Sequence, residues 1–446
     1  MDEKTLTTIE FFKVIDALAV YAAFSASAEL ARQLRPAPDL ETARLRLART
    51  TEARHLLSVK AESGVGGAHD IRSMVRLASR GGVLSEADLL AVSGTLVSAR
   101  SLYRSFEKSS ALYPHLYEIV RLTQPPVGII EAINRCISDR AEVLDSASPR
   151  LASIRSEVKT AHDRLLSRLE RMITDPHTGP MLQEGIITQR NGRYVIPIRA
   201  EFKNRIKSIV HDQSSSGATL FVEPIGVVEL NNRWHELQLA ERDEVHRILA
   251  QLSEQVGAEA EAISGIVDAL AEFDLALMCA KYGDALKANE PILLPIHPPA
   301  KAHHPGTTLK LLHVRHPLLN PDQVVSVDLE LDEDTFAVVI TGPNTGGKTV
   351  TLKSVGLMVA MAQSGLHIPA QSGSELSFFE DLFADIGDEQ SIEQSLSTFS
   401  GHITNIVRIL NRAKSNTLVL LDELGAGTDP QEGSALARAI LLYLVD

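Results

Sequence analysis

The stretch ITGPNTGGKTVTLKSVGL, residues 340–357, constrains the fold of this chain more than any other feature. Residues 342–349 match the pattern G-x-x-x-x-G-K-[ST]. The apolar run at 336–340 predicts a strand before this loop, and the following residues predict a helix at 347–364. A loop of this kind surrounds phosphates with backbone N–H groups at a helix N-terminus. The sequence therefore predicts a strand–loop–helix unit that binds the phosphates of a nucleotide.

The residue types in the loop indicate the ligand. Lys348 is expected to reach the β- and γ-phosphates, and the Thr349 hydroxyl is expected to ligate Mg²⁺. The predicted cofactors are therefore ATP and Mg²⁺. The predicted nucleotide contacts are Gly342, Pro343, Asn344, Thr345, Gly346, Gly347, Lys348, Thr349 and Val350.

An acidic pair follows a second apolar run. In TLVLLDE, residues 417–423, Asp422 and Glu423 come directly after a predicted strand. An open α/β sheet presents its ligand-binding groups at the carboxyl ends of its strands. Asp422 is therefore expected to hold the magnesium ion, directly or through water. Glu423 is expected to act as the general base that orients the attacking water.

These stretches together resemble the ATPase domain of the MutS family, within the ABC-type ATPases. The resemblance implies that Gln371 links the γ-phosphate and the metal to the rest of the molecule. It implies that Ser397 and Thr398, in SLSTFSGH, belong to a signature that meets the γ-phosphate of a partner subunit. Asp429 matches the loop that crosses the dimer interface, and Val324 lies where the family places an adenine contact.

Two long amphipathic helices are predicted before this region. One begins at Ser148 and the other extends from about 227 to about 262, which corresponds to a length of roughly 50 Å. Paired antiparallel, they would form a lever. Between them, Asn191-Gly192 and Ser215-Ser216-Gly217 predict two turns in a small β-insert.

The insert carries the best candidate surface for nucleic acid. Six cations face only Glu184 and Glu201 within residues 184–211, a net charge of +4 in a chain whose net charge is −13. Lysine and arginine side chains bind the phosphate backbone of nucleic acids. The six candidates are Arg190, Arg193, Arg199, Lys203, Arg205 and Lys207. A solvated surface that contacts no ligand is an equal alternative.

The predicted fold class is multidomain. It comprises an all-α core at 1–147, lever helices with a β-insert (about 184–225) at 148–300, and an incomplete α/β ABC-type phosphate-loop ATPase domain at 301–446. With 446 residues, two to three domains are the ordinary expectation. Cys136 and Cys279 are expected to be buried thiols. The acidic start and the absence of a run of about 18 apolar residues predict a cytoplasmic protein without membrane contact.

RYVIPIRAEFK, HDQSSSGATLFVEP and the start of the chain closely resemble the second bacterial branch of the MutS family, whose full-length members carry a C-terminal Smr domain. The resemblance implies a homodimeric clamp. Such a clamp would sense and split collided ribosomes, and would suppress homologous recombination by binding branched DNA. The chain stops at Asp446, before the switch histidine and the Smr domain of that branch. We therefore expect a truncated chain that binds ATP but hydrolyses it poorly, with any nuclease activity in the missing domain.

Four alternatives stay open at this stage. A mismatch-repair-like clamp is one, although the two Phe-x-Glu triplets, at 221–223 and 378–380, lie outside the context of a mismatch-reading wedge. A transporter-type ABC subunit would need an LSGGQ-like signature. A chromosome-maintenance ATPase would separate the phosphate loop from the acidic pair by hundreds of residues. A scaffold that uses nucleotide only to hold a dimer would be indifferent to replacement of Glu423 by glutamine.

Overall fold

The computed structural model describes residues 1–107, 109–296, 306–320, 322–332, 335–342, 347–387, 395–425 and 428–445, with backbone alone at 395–400. The helices are α1 (Glu3–Thr8), α2 (Phe11–Ala19), α3 (Ser25–Arg32), α4 (Leu40–Val59), α5 (Arg72–Ser79), α6 (Glu86–Phe106), α7 (Pro114–Val120), α8 (Ile129–Cys136), α9 (Pro149–Thr174), α10 (Ile225–Ala258), α11 (Ala260–Ala285), α12 (Lys348–Gln363), α13 (Ser395–Arg412) and α14 (Pro430–Val445). The strands are β1 (Thr188–Arg190), β2 (Arg193–Arg199), β3 (Ser208–Gln213), β4 (Thr219–Pro224), β5 (Ile292–Leu294), β6 (Leu309–Val314), β7 (Val327–Leu331), β8 (Glu375–Ser377), β9 (Asp381–Asp385) and β10 (Thr417–Leu421).

The chain forms two compact units. Unit 1 comprises Met1–Asp70, Thr95–Pro125 and Ser264–Asp446, and unit 2 comprises Ile71–Gly94 and Pro126–Ile263. The fold is mostly helical with several small sheets, which confirms the multidomain prediction at that level. None of the helices that the structure describes is long and apolar enough to cross a membrane.

Unit 2 contains the two predicted long helices. Ser148 caps α9, since its hydroxyl accepts a hydrogen bond from the Leu151 N–H at 3.0 Å. Near the start of α9 it also donates to Glu244 of α10, and further along α9 Glu157 pairs with Arg233. A residue later in α9 thus contacts a residue earlier in α10. The two helices are therefore antiparallel, as predicted. The 34 residues of α10 span about 51 Å.

The β-insert between these helices is a four-stranded antiparallel sheet in the order β1-β2-β4-β3. Asn191 (φ 50°) and Gly192 (φ 75°) form the turn between β1 and β2. Positive φ at both positions is what a two-residue hairpin turn requires, and Asn-Gly adopts it readily. Gly217 (φ 73°) lies in the second turn, between β3 and β4. The structure confirms both predicted turns.

The core of unit 1 surrounds α12. Residues 354–363 of this helix are buried, and they pack with Ile9 between α1 and α2 and with Leu420 of β10. At Gly356 a Cβ atom would lie 2.9 Å from Leu420 Cδ1 and 3.0 Å from Ile9 Cγ2. Glycine therefore lets α12, which follows the predicted phosphate loop, lie close to the strand that precedes the acidic pair.

The sheets of unit 1 differ in part from the prediction. Strands β9 and β10 are parallel, as predicted, but the larger sheet, in the order β5-β8-β6-β7, is mixed. The predicted strand at 336–340 is wrong. This segment forms no ladder within the described residues, and Val339 is 66% exposed. An apolar run becomes a strand only where a neighbouring strand supplies hydrogen-bond partners, and local sequence does not specify that neighbour.

Cys136 and Cys279 are buried free thiols, as predicted. Burial raises the pKa of the Cys279 thiol to about 12. A thiol with so high a pKa forms little of the nucleophilic thiolate. The two cysteines are therefore part of the packing.

Candidate nucleotide site and nucleic-acid surface

Thr349 and Asp422 meet in the structure, although they are 73 residues apart in the sequence. The Thr349 hydroxyl donates a hydrogen bond of 2.5 Å to Asp422 Oδ2. Thr349 lies in the first turn of α12, which begins at Lys348 after Gly347 in the left-handed conformation (φ 79°). Asp422 directly follows β10, and its N–H donates to the Asp385 carbonyl at the end of β9. The packing of β10 against α12, where Leu420 lies beside Gly356, thus brings the acidic residue to the start of α12.

Lys348 lies at the same edge. Its Nζ donates to the Gly342 carbonyl at 2.6 Å. Gly342 has φ 141°. Pro343, Asn344, Thr345 and Gly346 lie outside the described residues. Val350 follows in the first turn of α12 and is 40% exposed.

Glu423 has an unusual backbone conformation. Its φ of 48° lies in the left-handed region, which residues other than glycine seldom adopt. Its N–H donates to Asp422 Oδ1 at 3.1 Å, and its side chain is exposed. Strain of this kind costs about 1–3 kcal/mol and concentrates at functional sites. The conformation places the second acid of the pair beside the first at the end of β10.

The predicted adenine contact, Val324, lines a small, mainly apolar cavity beside α12. Val350 and Thr351 of that helix and His316 also line it. His316 is buried, and burial lowers the pKa of its imidazole. Its Nδ1 accepts a hydrogen bond from the Leu318 N–H. The cavity is therefore walled mainly by aliphatic side chains, together with the Thr351 and Ser354 hydroxyls and the His316 imidazole, beside the first turns of α12.

The other residues implied by the resemblance have local contacts of their own. Gln371 is held by its backbone, which donates to the Leu312 carbonyl at 2.7 Å, and its side chain is exposed. Asp429 caps α14, since its carboxylate accepts from the Gln431 N–H at 2.9 Å. Ser397 and Thr398 lie in the first turn of α13, and their side chains are outside the described residues.

Sequence reasoning missed a second cluster at this edge. Asp385, the last residue of β9, accepts hydrogen bonds from His402 Nδ1 (2.9 Å) and Asn405 Nδ2 (2.8 Å), both on α13. The signal was present, because Asp385 also follows an apolar strand and His402 lies one helical turn after Thr398. The parallel partner of β10 could not be identified from sequence, so these residues were not connected with Asp422.

The six candidate cations of the β-insert fall into two groups. Arg190 pairs with Asp212 at 3.1 Å and lies over the Phe221 ring. Arg193 pairs with Glu223, a fully buried carboxylate, at 2.9 Å. Arg199, Lys203, Arg205 and Lys207 are exposed and form no ion pair within the described residues. The two neutralising acids lie beyond residue 211, so the count over 184–211 omitted them.

A match to a known protein family gives the class of protein to which the chain belongs. Residues 338–446, which contain Lys348, Thr349 and the acidic pair, match the family model described as MutS domain V. The chain is therefore a multidomain protein that contains a MutS domain V.

Relatives that match nearly the whole of this chain identify the branch of the family. The chain is 48% identical to a protein of Thermomicrobium roseum named Endonuclease MutS2, over 100% of this chain and 57% of that protein. It is 44% identical to the Endonuclease MutS2 of Halalkalibacterium halodurans, over 98% of the chain and 55% of the relative. It is 42% identical to the Putative endonuclease MutS2 of Bacillus subtilis, over 99% and 55%. The chain belongs to the MutS family, in the branch of the MutS2 proteins, and spans about half the length of these relatives.

Proposed function

We propose that the chain binds ATP with Mg²⁺ at the Thr349–Asp422 edge, hydrolyses it, and uses this reaction in a homodimer to act on nucleic acid. The observation that carries the proposal is the 2.5 Å contact between the Thr349 hydroxyl and Asp422 Oδ2. Two oxygen ligands from distant parts of the chain meet at a helix N-terminus, beside a lysine. Oxygen ligands and an adjacent phosphate are what Mg²⁺ prefers in nucleotide sites.

The donor set fits the proposed cofactors. Thr349 and Asp422 would hold Mg²⁺, which neutralises phosphate charge when it is bound. Lys348 would exchange its bond to the Gly342 carbonyl for phosphate oxygens, and the exposed Glu423 would orient the attacking water. Val324 and Val350 would contact the base through the aliphatic cavity beside α12. These groups lie at one edge of the β9–β10 pair and next to the N-terminus of one helix.

The remaining site residues are proposed to act in the complete dimer. Gln371 would reach the γ-phosphate when the site closes, since its exposed side chain is held only through its backbone. Ser397 and Thr398 would meet the γ-phosphate of the partner subunit, and Asp429 would lie at the dimer interface. In the isolated chain Asp429 caps α14, so that role would require a second contact for its carboxylate.

The four exposed cations of the β-insert are the proposed nucleic-acid contacts. Arg199 ends β2, and Lys203, Arg205 and Lys207 lie on the segment between β2 and β3. All four side chains are exposed and available to phosphate groups. Arg190 and Arg193 would instead shape the insert through their ion pairs. Because phosphate contacts carry no sequence information, these cations suit ribosomal RNA and branched DNA alike. We propose a cytoplasmic clamp that senses and splits collided ribosomes and that restrains homologous recombination by binding branched DNA.

Two further candidates compete with an ATP-driven motor. A dimerisation scaffold that does not hydrolyse ATP would use the same phosphate loop without Glu423 as a base. A mismatch-repair-like clamp would use the same ATPase cycle on a DNA duplex. The relatives are named endonucleases, but no group of three or more His, Cys, Asp or Glu in the described part of the chain could hold a metal ion.

Binding by the Glu423→Gln variant tests the proposal. The variant is incubated with ATP at a stated salt concentration and offered collided ribosomes, single ribosomes, a four-way DNA junction and a mismatched duplex side by side. We expect ATP-dependent binding that favours collided ribosomes or the junction. Equal affinity for all four, with or without ATP, would contradict a nucleotide-driven clamp. Identical ATP-dependent binding by Glu423→Gln and by the unsubstituted chain would support the scaffold.

A further inference from the structure

Asp385 joins two parts of unit 1 at the candidate nucleotide site. Its backbone carbonyl accepts from the Asp422 N–H at 2.9 Å, and its carboxylate accepts from α13 through both oxygens. His402 Nδ1 donates to Oδ2, and Asn405 Nδ2 donates to Oδ1. A single residue thus contacts the proposed metal ligand through its backbone and helix α13 through its side chain.

Helix docking alone does not explain this carboxylate. The Asp385 side chain is 9% exposed, and a carboxylate withdrawn from water is costly unless its oxygens are bonded. Apolar side chains would hold a helix on a strand at lower cost. What a buried polar pair adds is a fixed geometry, because its hydrogen bonds exist at one distance and orientation.

Helix α13 also has anchors that do not involve His402. Lys4 of α1 donates to Asn405 Oδ1 at 3.1 Å, and Arg408 pairs with Asp2. Ile406 and Ile409 of α13 are buried. The helix therefore stays attached to unit 1 without His402, and the His402–Asp385 bond is available to set its exact position.

We infer that Asp385 and His402 are positioning residues that couple the nucleotide site of a subunit to the dimer contact made by its α13. Through them the end of β10, with Asp422, and the helix that carries positions 397 and 398 move as one unit when ATP binds. Position 402 lies one helical turn after position 398, so a displacement at His402 reaches the start of α13. This inference rests on the proposed function, because it assumes ATP at Asp422 and a dimer contact at α13.

Separate measurements of ATP binding and of dimerisation test the inference. In a Glu423→Gln parent, Kd for ATP is measured by calorimetry, and ATP-dependent dimerisation is measured by analytical ultracentrifugation. We expect His402→Ala to leave Kd for ATP within about twofold and to weaken dimerisation about tenfold, the effect of losing one hydrogen bond to a charged group. Asp385→Asn should give the same pattern.

Two further variants serve as controls. His402→Asn keeps an N–H donor close to the place of Nδ1 and should restore dimerisation to within about threefold of the parent. Arg412→Ala, exposed at the far end of α13, should behave like the parent. The thermal midpoint of every variant is measured alongside.

The outcomes separate this inference from the proposed function. A parent that neither binds ATP nor dimerises with it would refute the proposed function, and the coupling with it. A parent that does both, with a His402→Ala variant that dimerises equally well, would overturn the coupling alone. If His402→Ala lost ATP affinity, dimerisation and thermal midpoint together, His402 would have only a structural role, and the coupling would be overturned. A failure of His402→Asn to restore dimerisation would also overturn the coupling.

Discussion

Thr349 and Asp422 share a hydrogen bond of 2.5 Å between the start of α12 and the end of β10. The hydroxyl gives only its hydrogen to this bond, so its oxygen lone pairs, like those of the Asp422 carboxylate, would stay available to Mg²⁺. Thr349 is partly buried in the first turn of a helix whose later turns lie in the core of unit 1, so the hydroxyl has little freedom to move away.

Replacing either proposed metal ligand should weaken the response of ATP binding to magnesium. In Thr349→Val and Asp422→Asn, we expect the gain in ATP affinity on adding Mg²⁺ to fall by about tenfold or more, because one oxygen ligand is lost. Titration of ATP with and without Mg²⁺ measures the effect. Thr351→Val, which removes a hydroxyl bonded to the Gly347 carbonyl in the same helix, is the matched control. An unchanged magnesium response in both ligand variants would exclude this metal site.

Glu423 should show opposite effects on activity and on stability. Glu423→Gln should lower ATP hydrolysis by about 10²-fold or more, since a general base contributes that much, while ATP affinity is kept. Glu423→Gly should abolish hydrolysis as well, yet raise stability by about 1 kcal/mol, because φ of 48° suits glycine. Turnover assays and thermal melts measure both. Hydrolysis by Glu423→Gln at the rate of the unsubstituted chain would favour the scaffold.

The two groups of cations in the β-insert should respond differently to neutralisation. Changing Arg199, Lys203, Arg205 and Lys207 to Gln one at a time should weaken nucleic-acid binding for every sequence and lower the salt slope by about 1 each. Arg193→Gln should instead destabilise unit 2, because it leaves the buried Glu223 with fewer partners. Binding isotherms at several salt concentrations and thermal melts separate the two effects. Equal slopes for the exposed-site variants and the parent would remove this surface from the proposal.

Any side chain at Gly356 should lower the stability of the folded protein. Gly356→Ala places a methyl group 2.9 Å from Leu420 Cδ1 and 3.0 Å from Ile9 Cγ2, which should cost about 1–3 kcal/mol of stability. The gain in helix propensity over glycine, about 1 kcal/mol, offsets only part of that cost. The matched control is Gly265→Ala on α11, where a Cβ atom meets nothing within 4 Å and the substitution should be stabilising. Chemical denaturation of both variants measures the difference, and a Gly356→Ala variant more stable than the parent would contradict the packing.

Glu244 should make unit 2 sensitive to acid. Hydrogen bonds from Arg247 and Ser148 lower the pKa of this carboxyl from 4.5 to about 2. A lowered pKa in the folded state stabilises the protein above the unfolded-state value. The contribution is therefore complete above about pH 4.5 and is lost as the pH falls towards about 2. Thermal melts from pH 7 to pH 2 should show a smaller acid-induced loss for Glu244→Gln than for the parent.

A matched control for Glu244 is available on the same helix. Glu236 lies on α10 with a side chain that is 67% exposed and only a distant ion pair, 3.9 Å from Arg233. Glu236→Gln should leave both the midpoint at pH 7 and its decline with acid unchanged. If Glu244→Gln and the parent lost stability equally between pH 4.5 and pH 2, the low pKa of Glu244 would be excluded.

The sequence alone determined the features whose signals are local. Asn191-Gly192 specified a hairpin turn because two consecutive positive φ angles suit few other residue pairs. The periodicity of α9 and α10 specified two long helices, and residues 342–349 predicted a phosphate loop. The resemblance to the MutS family depended on residues 340–357, on the acidic pair and on the further motif residues such as Gln371. The family model and the relatives that match the chain confirm this resemblance.

Only the tertiary structure decided which distant residues meet. Asp422 came together with Thr349 because β10 packs against α12, and with Asp385 because β9 and β10 pair in parallel. Asp385 met His402 because α13 packs against β9. Arg190 and Arg193 form ion pairs that the sequence did not reveal. The sheet pairing of β2, β3 and β4 places Asp212 beside Arg190 and Glu223 beside Arg193. The strand predicted at 336–340 failed for the same reason, since a strand needs a partner. Local conformational preference is encoded within a few residues, whereas charge pairing and sheet formation depend on neighbours that folding brings from elsewhere in the chain.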